Sequence, residues 1–549
     1  MLIAARDLAG DASLEADVCV VGAGPAGLVV ASELEPSGAS VLVLAGPDEA
    51  PSGEVEGEPY PPLAETHLGG VGGSVPLWTS EVARGSLGAR YAPLAPIDFE
   101  ERDGMPRSGW PFGREALDPF YTRAHELCEA GLFEYDPAAA AAPPDAVPVV
   151  GDGIATGVFR FGRADAFIRT QTDRLARSEA ARILTGAVAT RIRTSDDGRE
   201  VRDVEVASEP GRGLRVRARA YVLAAGGIEN PRLLLLSGIG NDHDLVGRCF
   251  MDHPTVRCRL ELDPRAETAL GFYDVRLVAD EPVLGHLALP EETLRAEGLL
   301  NSGFIAVPAR DRAARAAVAA QALAEGMRAR RLPDRPLRTA AEAAAGAGSI
   351  AYGVHRRLAR GVPALAPTLR VWPRSRLLDT HGIGAIAGWS TLRRQARAFD
   401  LYHIFEQAPD PERRVSLGTE RDRFGLPVAR LHWFIGAREL DSANRTEELL
   451  RDALARRGLG RLRTARELAP GGDVASTAHP SVHHHLGTTR MHAEERRGVV
   501  DANGRVHGLA NLFVTGGSVF PTAGFVNPTL TIVALAARLS AHLRQDVLQ

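Results

Sequence analysis

The sequence VCVVGAGPAG, residues 18–27, places a short apolar run directly before a turn that holds Gly22, Gly24 and Gly27. A helix-like stretch follows the turn, and a second apolar run covers Val41 to Leu44. The order strand, glycine turn, helix and strand is the unit that binds a dinucleotide pyrophosphate at a helix N-terminus, although glycines also occur in such turns for packing alone. We therefore predict a doubly wound α/β domain, with these three glycines as candidate cofactor-binding residues.

One element of this dinucleotide-binding unit is missing. An acidic residue about 20 residues after the glycine turn usually binds the ribose hydroxyls, and Ala45 stands at the end of the second apolar run instead. Asp48 or Glu49 could take over that contact. The pyrophosphate site is built from backbone groups and does not depend on it, so the ribose ligand stays unassigned.

The length and charge of the chain limit its architecture and its partners. A chain of 549 residues exceeds what one hydrophobic core usually organises, which predicts two cooperating domains. The net charge of -5 gives no electrostatic reason to expect nucleic acid or an acidic membrane as a partner. All 64 basic residues are arginine. Without lysine the chain can form neither a pyridoxal phosphate Schiff base nor a Walker phosphate loop, and flavin chemistry needs neither.

Cysteine usage and the N-terminal segment indicate the compartment. The four cysteines, Cys19, Cys128, Cys249 and Cys258, are widely spaced and form no CxxC pair, which argues against a zinc site or a disulfide framework. Residues 1–17 are interrupted by charges and lack the apolar core of a signal peptide, and no stretch is long enough to span a membrane. The sequence predicts a cytoplasmic protein.

Four further segments have less specific patterns. Tyr60 to Pro119 is rich in glycine, proline and aromatic residues and fits either an ordered loop over a ligand or a long connection. Tyr221 to Gly227 has the pattern of a buried strand that ends in a glycine turn, where doubly wound domains bind ligands. The Ala/Pro-rich residues 137–148 predict an exposed excursion, and the alanine- and arginine-rich residues 310–360 predict a solvated helical face.

The C-terminal block carries the most informative motifs. It contains HHHLGTTRM at residues 483–491, NLFVTGGS at 511–518 and NPT at 527–529. The three adjacent histidines invite a metal site. Consecutive side chains point in different directions, however, and no carboxylate or cysteine at helical spacing completes a ligand set. We therefore predict no metal here.

Together with the C-terminal block and the glycine turn, several shorter motifs resemble the glucose-methanol-choline (GMC) oxidoreductase family. The resemblance is to the bacterial branch that acts on sugars and related alcohols, including aminoglycoside-type alcohol oxidases, and it spans nearly the whole chain. The shorter motifs are Gly72-Gly73-Ser74 with Trp78, Ser108 to Pro111, Ala224 to Pro231, Val246 to Arg248 with Asp252-His253-Pro254, and Glu406 to Pro409.

This resemblance implies the FAD-dependent oxidation of an alcohol to an aldehyde or ketone, with hydride passing to flavin N5. It implies that His484, three residues before a Gly-Thr pair, is the base toward the substrate hydroxyl, and that Asn527 is its hydrogen-bonding partner. An imidazole suits proton removal near neutral pH, and a neutral amide can orient the substrate oxygen. Besides the three glycines of the N-terminal turn, the implied cofactor contacts are Gly73, Ser74, Gly226, Gly516, Gly517 and Ser518.

Leu77 departs from some members of the family. It stands directly before Trp78, where those relatives carry a histidine that is covalently bonded to FAD. Leucine cannot form that bond, so the resemblance implies FAD that is held non-covalently.

The fold that the resemblance implies is α/β, with a discontinuous Rossmann-like FAD-binding domain and a second, α+β substrate domain that contains an antiparallel sheet. We expect residues 14–250 and 480–549 to form the FAD-binding domain, the second part carrying the active-site segment, and residues 251–479 to form the substrate domain. Leu401 to Phe405 and Val428 to Trp433 are expected strands of that antiparallel sheet because of their apolar and aromatic content.

The expected substrate is a small polar alcohol, either sugar-like or an aminoglycoside, and the expected electron acceptor is oxygen or a separate carrier. Glu406 and Asp410 could accept ammonium groups of an aminosugar, or could be ordinary exposed carboxylates. Two alternatives stay open because a fold does not determine function. One is a flavin-bound lyase or light-driven decarboxylase, and the other is a non-catalytic flavoprotein subunit.

Overall fold

A computed structural model gives the fold of the chain. It describes residues 1–49, 51–83, 86–141, 146–163, 165–263, 266, 270–308, 323, 336–345, 398–480 and 483–549. The predicted helical face at residues 310–360 lies outside these ranges, apart from residue 323 and the helix Pro336–Ala345. The predicted excursion at residues 137–148 lies partly outside them.

The described strands, in chain order, are β1 (Leu2–Ala4), β2 (Ser13–Val21), β3 (Val41–Ala45), β4 (Gly53–Gly57), β5 (Thr79–Ala83), β6 (Ser86–Tyr91), β7 (Ala155–Arg163), β8 (Ala181–Thr185), β9 (Val188–Thr194), β10 (Val201–Glu209), β11 (Arg212–Leu223), β12 (Pro254–Leu262), β13 (Val275–Val278), β14 (Glu281–Ala288), β15 (Ser302–Pro308), β16 (Ala398–Phe405), β17 (Arg414–Arg421), β18 (Pro427–Trp433), β19 (Gly460–Arg463), β20 (His479–Pro480) and β21 (Leu512–Val514). The described α-helices are α1 (Pro25–Leu34), α2 (Leu63–Thr66), α3 (Asp118–Leu127), α4 (Thr172–Arg177), α5 (Gly226–Ser237), α6 (Glu291–Glu297), α7 (Pro336–Ala345), α8 (Ala437–Arg456), α9 (Ala465–Leu468) and α10 (Thr529–His542).

The first sheet joins the two ends of the chain. Its strand order is β1-β8-β3-β2-β11-β10-β9, and β21 pairs in parallel with β11, Leu512 lying opposite Tyr221. The strands from β1 to β11 in this order are parallel neighbours. The apolar end of β2, Val18 to Val21, is buried because parallel neighbours flank the strand on both sides. The predicted discontinuous Rossmann-like domain is thus confirmed.

Helix α1 is positioned by its sequence and buried by its neighbours. Pro25 suits the first helical turn because its fixed φ is helical and its missing N–H needs no partner there. The apolar residues that follow are buried, and α1 packs against α10 near the C-terminus. In the described parts of the chain, no helix combines the length and the apolar character needed to cross a membrane.

The second sheet is the predicted antiparallel one. It has ten strands within the described ranges: eight follow the order β19-β12-β16-β15-β14-β7-β6-β5, β13 pairs with β14, and β20 pairs with β12. The expected strand Leu401 to Phe405 lies in β16, in the interior of this sheet. Strands β5, β6 and β7 come from the segment 14–250, so that segment contributes to both sheets. The domain boundaries themselves stay a prediction.

The expectation that Val428 to Trp433 belongs to the antiparallel sheet is wrong. These residues form a strand, β18, but β18 lies in a separate sheet between β17 and the N-terminal strand β4. Trp433 packs there with Tyr60 and Phe250 in a small core of their own. The pattern of apolar residues indicates a strand, whereas the partner of that strand depends on contacts far away in the sequence.

Candidate active site

A cavity of about 560 Å³ opens at the carboxyl ends of the parallel strands. Its wall includes Val21 and Leu44 near the ends of β2 and β3, Ala224 directly after β11, and Gly516 just after β21. Ligands of doubly wound sheets bind at this edge. The predicted loop between Tyr60 and Pro119 contributes a second part of the wall, so its interpretation as a ligand-covering loop fits the structure.

The glycine turn has the geometry of a phosphate-binding site. Gly22 has a φ of +109°, and a Cβ there would lie 2.5 Å from the backbone oxygen of Ala224. A Cβ at Gly27 would lie 1.9 Å from the oxygen of Gly22, so α1 packs directly on the turn. Gly24 is the N-cap residue of α1 and makes no side-chain capping hydrogen bond. A Cβ at Gly24 would have no other described atom within 4 Å. An anionic group can therefore reach the first N–H groups of α1.

Most of the other predicted cofactor residues face the same space. Those that line the cavity are Gly22, Gly24, Gly73, Ser74, Gly226, Gly516 and Gly517. Gly27 and Ser518 do not line it. Ser518 is buried, and its hydroxyl oxygen accepts a hydrogen bond from Asn230 at 2.9 Å. This hydrogen bond holds α5 against the C-terminal loop.

Glu49 is the better placed of the two candidate ribose ligands. It lines the cavity and forms an ion pair with Arg423, with 3.3 Å between the charged atoms. Asp48 does not line the cavity. A Cβ at Gly70 would lie 2.1 Å from Oδ1 of Asp48, so this carboxylate is turned against the neighbouring loop.

His484 lines the cavity and is held from two directions. Its backbone N–H donates to Oδ1 of Asp252 at 2.9 Å, and its Nδ1 lies 2.9 Å from Nδ1 of His253. Burial, followed by the nearby His253 and Arg90, lowers the pKa of His484 well below its usual value. His484 is therefore uncharged near neutral pH. Since Nδ1 is engaged, Nε2 is the ring nitrogen that remains for a ligand.

The two flanking histidines have different surroundings. The ring of His485 lies among Tyr60, His67 and Phe250, at centroid distances of 5.6 to 6.3 Å. Burial lowers the pKa of His485 to about 3. His483 has a φ of +55° and lines the cavity as well. Over the described ranges, no three His, Cys, Asp or Glu side chains are grouped to hold a metal ion.

Asn527 lines the same cavity, just before α10, but it does not pair with His484. Its Oδ1 accepts a hydrogen bond from Nε of Arg90 at 2.8 Å, and the hydrogen bond expected between Asn527 and His484 is missing from this part of the structure. Burial lowers the pKa of Arg90 to about 10, which leaves the guanidinium charged at neutral pH. With Oδ1 occupied, the amide NH₂ of Asn527 is the group left to donate.

Two protein-family models described as GMC oxidoreductase match this sequence, one at residues 156–255 and the other at residues 409–536. The chain belongs to the GMC oxidoreductase family. The second matched segment contains both His484 and Asn527.

Known GMC relatives include the fructose dehydrogenase large subunit of Gluconobacter japonicus, 26% identical over 348 residues that cover 61% of this chain and 49% of the relative. The 6'''-hydroxyparomomycin C oxidase of Streptomyces lividus is 36% identical over 152 residues, 26% of this chain and 25% of the relative. The matches thus span half or less of the length of these curated relatives. A formate oxidase variant of Aspergillus oryzae RIB40 has a similar fold, with a TM-score of 0.53 and 17% identity over 98% of this chain and 100% of that chain.

Of the two interpretations given for Glu406 and Asp410, the structure does not support the one in which they accept ammonium groups of a substrate. Neither residue lines the cavity. Glu406 is fully buried, its carboxylate is bound by Arg102, and it accepts the backbone N–H of Asn301 at 2.7 Å. Burying a carboxylate is costly unless a cation and hydrogen bonds compensate it. Glu406 is therefore part of a buried ion-pair network and not a substrate contact.

Sequence reasoning assigned no role to three residues that contact the candidate pair: Asp252, His253 and Arg90. Asp252-His253-Pro254 is one of the motifs that resemble the GMC family, but the sequence does not indicate what its residues do. Arg90 had no signal at all, because a single arginine on a strand of an arginine-rich chain looks like a surface residue.

Proposed function

We propose that this protein is an FAD-dependent alcohol oxidase or dehydrogenase that converts a CH–OH group of a polar, sugar-like or aminoglycoside substrate into an aldehyde or ketone. One observation carries the proposal: a phosphate-binding glycine turn and the residues His484 and Asn527 line one cavity, although they lie at opposite ends of the chain. GMC relatives named as a fructose dehydrogenase and a paromomycin-type oxidase support the substrate class.

The residues of the cavity fit FAD. When bound, FAD supplies the hydride acceptor that no side chain offers. The turn at Gly22 and Gly24, with the N-terminus of α1, would hold the pyrophosphate, and Glu49 would face the ribose. Leu77 lines the cavity and has no nucleophilic atom. These features support FAD that is bound without a covalent link.

His484 is suited to take the hydroxyl proton. When a carbinol carbon loses hydride, its oxygen must lose a proton for the carbonyl bond to form, and a neutral imidazole within reach can accept it. Nε2 of His484 is available for this proton because Nδ1 already contacts His253. The lowered pKa keeps the imidazole neutral before the reaction, so that one ring nitrogen has a free lone pair.

Asn527 is suited to hold the same oxygen. Its carbonyl oxygen is bound by Arg90, which leaves its two N–H groups to donate. A donated hydrogen bond stabilises the negative charge that develops on the substrate oxygen as the proton leaves. The positive charge of Arg90 acts in the same direction, through the amide that it orients.

The charges of the cavity favour a reacting carbon without a neighbouring ammonium group. The described carboxylates on the wall are already paired: Glu49 with Arg423, and Glu229 and Asp422 with Arg232. Arg90, next to Asn527, repels a second cation. We expect neutral sugars and polyols to react faster than compounds whose amino group adjoins the reacting carbon.

Anaerobic titration of the FAD-loaded protein tests the proposed activity. The panel comprises neutral sugars, polyols, aminosugars and intact aminoglycosides, and the measurement is bleaching of the visible flavin absorbance together with the carbonyl product. One carbonyl formed for each flavin reduced supports the proposal. If carbon dioxide or a cleaved product forms without net flavin reduction, the protein is a decarboxylase or lyase. If no compound reduces the flavin, the proposal fails, and a non-catalytic flavoprotein subunit is the better description.

A further inference from the structure

His253 and His484 contact each other through the same ring nitrogen, Nδ1. Their Nδ1 atoms are 2.9 Å apart, and their rings are perpendicular, with 4.9 Å between the centroids and 85° between the planes. Two neutral imidazoles at this distance share one hydrogen, which belongs to one Nδ1 and is accepted by the other. The contact therefore allows two states, and these differ in which nitrogen of His484 has a lone pair.

The backbones of both histidines are anchored to the same carboxylate oxygen. Oδ1 of Asp252 accepts the backbone N–H of His253 at 2.7 Å and that of His484 at 2.9 Å. Its other oxygen accepts the hydroxyl of Tyr60 at 2.6 Å. The backbone N–H of Asp252 in turn donates to Gln407 at 3.0 Å. These hydrogen bonds join the start of β12 at residue 254 to the C-terminal block. The fold therefore fixes the distance between the two rings.

We propose that His253 is a positioning residue that fixes the tautomer of His484, accepting its Nδ1–H and so keeping the lone pair on Nε2 toward the cavity. This inference rests on the proposed function, in which Nε2 of His484 takes the substrate proton. During that transfer the hydroxyl proton moves to Nε2, the Nδ1–H stays in place, and His253 Nδ1 accepts from the resulting imidazolium. No proton has to leave the pair.

Both rings of this pair are neutral, although different groups surround them. The groups that act on His253 are the carboxylates of Asp252 and Glu406 and backbone groups of Ala523 and Gly524, all of which favour a proton on its ring. Burial still lowers the pKa of His253 to about 4, so the ring is neutral and carries a single N–H.

The groups around His484 have the opposite character. Burial lowers its pKa most, and His253, Arg90, His483 and His485 lower it further. A neutral His484 therefore needs only one acceptor for its N–H, and His253 provides it at 2.9 Å. In the proposed state the two rings form a directed pair, with His484 as donor and His253 as acceptor.

Two substitutions at His253 test the proposal. His253→Asn places an amide oxygen where Nδ1 was and keeps an acceptor, whereas His253→Leu removes it. The first readout is the ¹⁵N spectrum of histidine-labelled, FAD-loaded protein without substrate, which reports the tautomer of His484 and needs no turnover. We expect the Nδ1–H form in the wild type and in His253→Asn, and a mixed or Nε2–H form in His253→Leu. An Nε2–H wild type overturns the proposal, even if the leucine variant does not fold.

The second readout is the rate of anaerobic flavin reduction by alcohol. We expect His253→Leu to slow it about 10- to 100-fold, as loss of an orienting outer residue typically does, with little change in KM, and His253→Asn to restore most of the rate. In a His484→Ala background, His253→Leu should cost nothing more. An equal additional loss in that background, or equal losses for leucine and asparagine, would indicate a merely structural role and overturn the proposal. A protein with the expected tautomers that no alcohol reduces would instead contradict only the proposed function.

Discussion

The proton-accepting role of His484 predicts the largest effect of any single substitution at the cavity. General base catalysis contributes about a hundredfold to ten-thousandfold, which corresponds to about 2.7 to 5.5 kcal/mol of transition-state stabilisation. His484→Ala removes Nε2 and should slow flavin reduction by alcohol on that scale. The bound FAD spectrum should stay near normal, because backbone groups of the glycine turn and α1 would hold the pyrophosphate and the substitution does not change them.

The same substitution has a modest structural cost, which is measured separately. His484→Ala also removes the contact between its Nδ1 and that of His253, and the loss of a buried hydrogen bond costs about 1 to 3 kcal/mol of unfolding free energy. The backbone N–H of residue 484 still donates to Asp252 in the variant. The protein should therefore fold, with a slightly lower melting temperature.

His485→Phe is the matched control. The ring of His485 packs in the aromatic cluster of Tyr60, His67 and Phe250, and its Nε2 has no hydrogen-bond partner among the described residues. Phenylalanine keeps the ring and removes only the nitrogens, so the reduction rate should change little. Stopped-flow absorbance gives both rates, and deuterium on the carbinol carbon should slow reduction in the wild type.

Two results would refute the assignment. Equal, small losses in both variants would mean that neither imidazole accepts the proton. A large loss confined to His485→Phe would mean that the assignment is displaced by one residue.

Four further predictions follow from the same geometry. Because burial and nearby cations lower the pKa of His484, its protonation should begin only well below pH 6.5, so the rate of flavin reduction should stay level from about pH 8 to pH 6; a tenfold fall per pH unit that starts near 6.5 would contradict this. Arg90→Leu frees the oxygen of Asn527 to rotate and should slow reduction about tenfold or more, as expected for loss of a charged hydrogen bond, while Arg90→Lys should cost less; FAD loss from the leucine variant would show that Arg90 acts on the cofactor instead. Acid or heat should release intact FAD from the wild type because Leu77 cannot bond to it, and flavin that stays with the precipitated chain would exclude non-covalent binding. Burial lowers the pKa of His286 to about 3, so below pH 6.5 the unfolded state binds a proton at this residue and the folded state does not. Through this residue the unfolding free energy of the wild type should fall by up to about 2 kcal/mol at pH 5. In denaturant titrations, His286→Leu should lose correspondingly less unfolding free energy between pH 7 and pH 5, and an unchanged loss would refute the prediction.

The glycine turn illustrates what can be predicted from a sequence. The positive φ of Gly22 and the close contact between Gly27 and the Gly22 oxygen are local backbone requirements, which only glycine meets. A local requirement leaves a local pattern, so the turn, its helix and its flanking strands were all predictable. Strand β18 illustrates the limit, because its own residues indicate a strand but its neighbours β4 and β17 lie in other parts of the chain.

The sequence by itself determined the family, the two kinds of sheet, and His484 and Asn527 as the candidate pair. Motif spacing is enough for these, since each depends on residues within one short segment or on a resemblance to known chains. Only the tertiary structure decided what the pair contacts. His253 reaches His484 because Asp252 binds both backbones, and Arg90 reaches Asn527 because β6 of the antiparallel sheet ends beside the C-terminal loop. The contacts between His253 and His484 and between Arg90 and Asn527 each join residues more than 200 positions apart. A side chain's hydrogen-bonding partner at such separation follows from how the sheets pack, and no local pattern in the sequence encodes it.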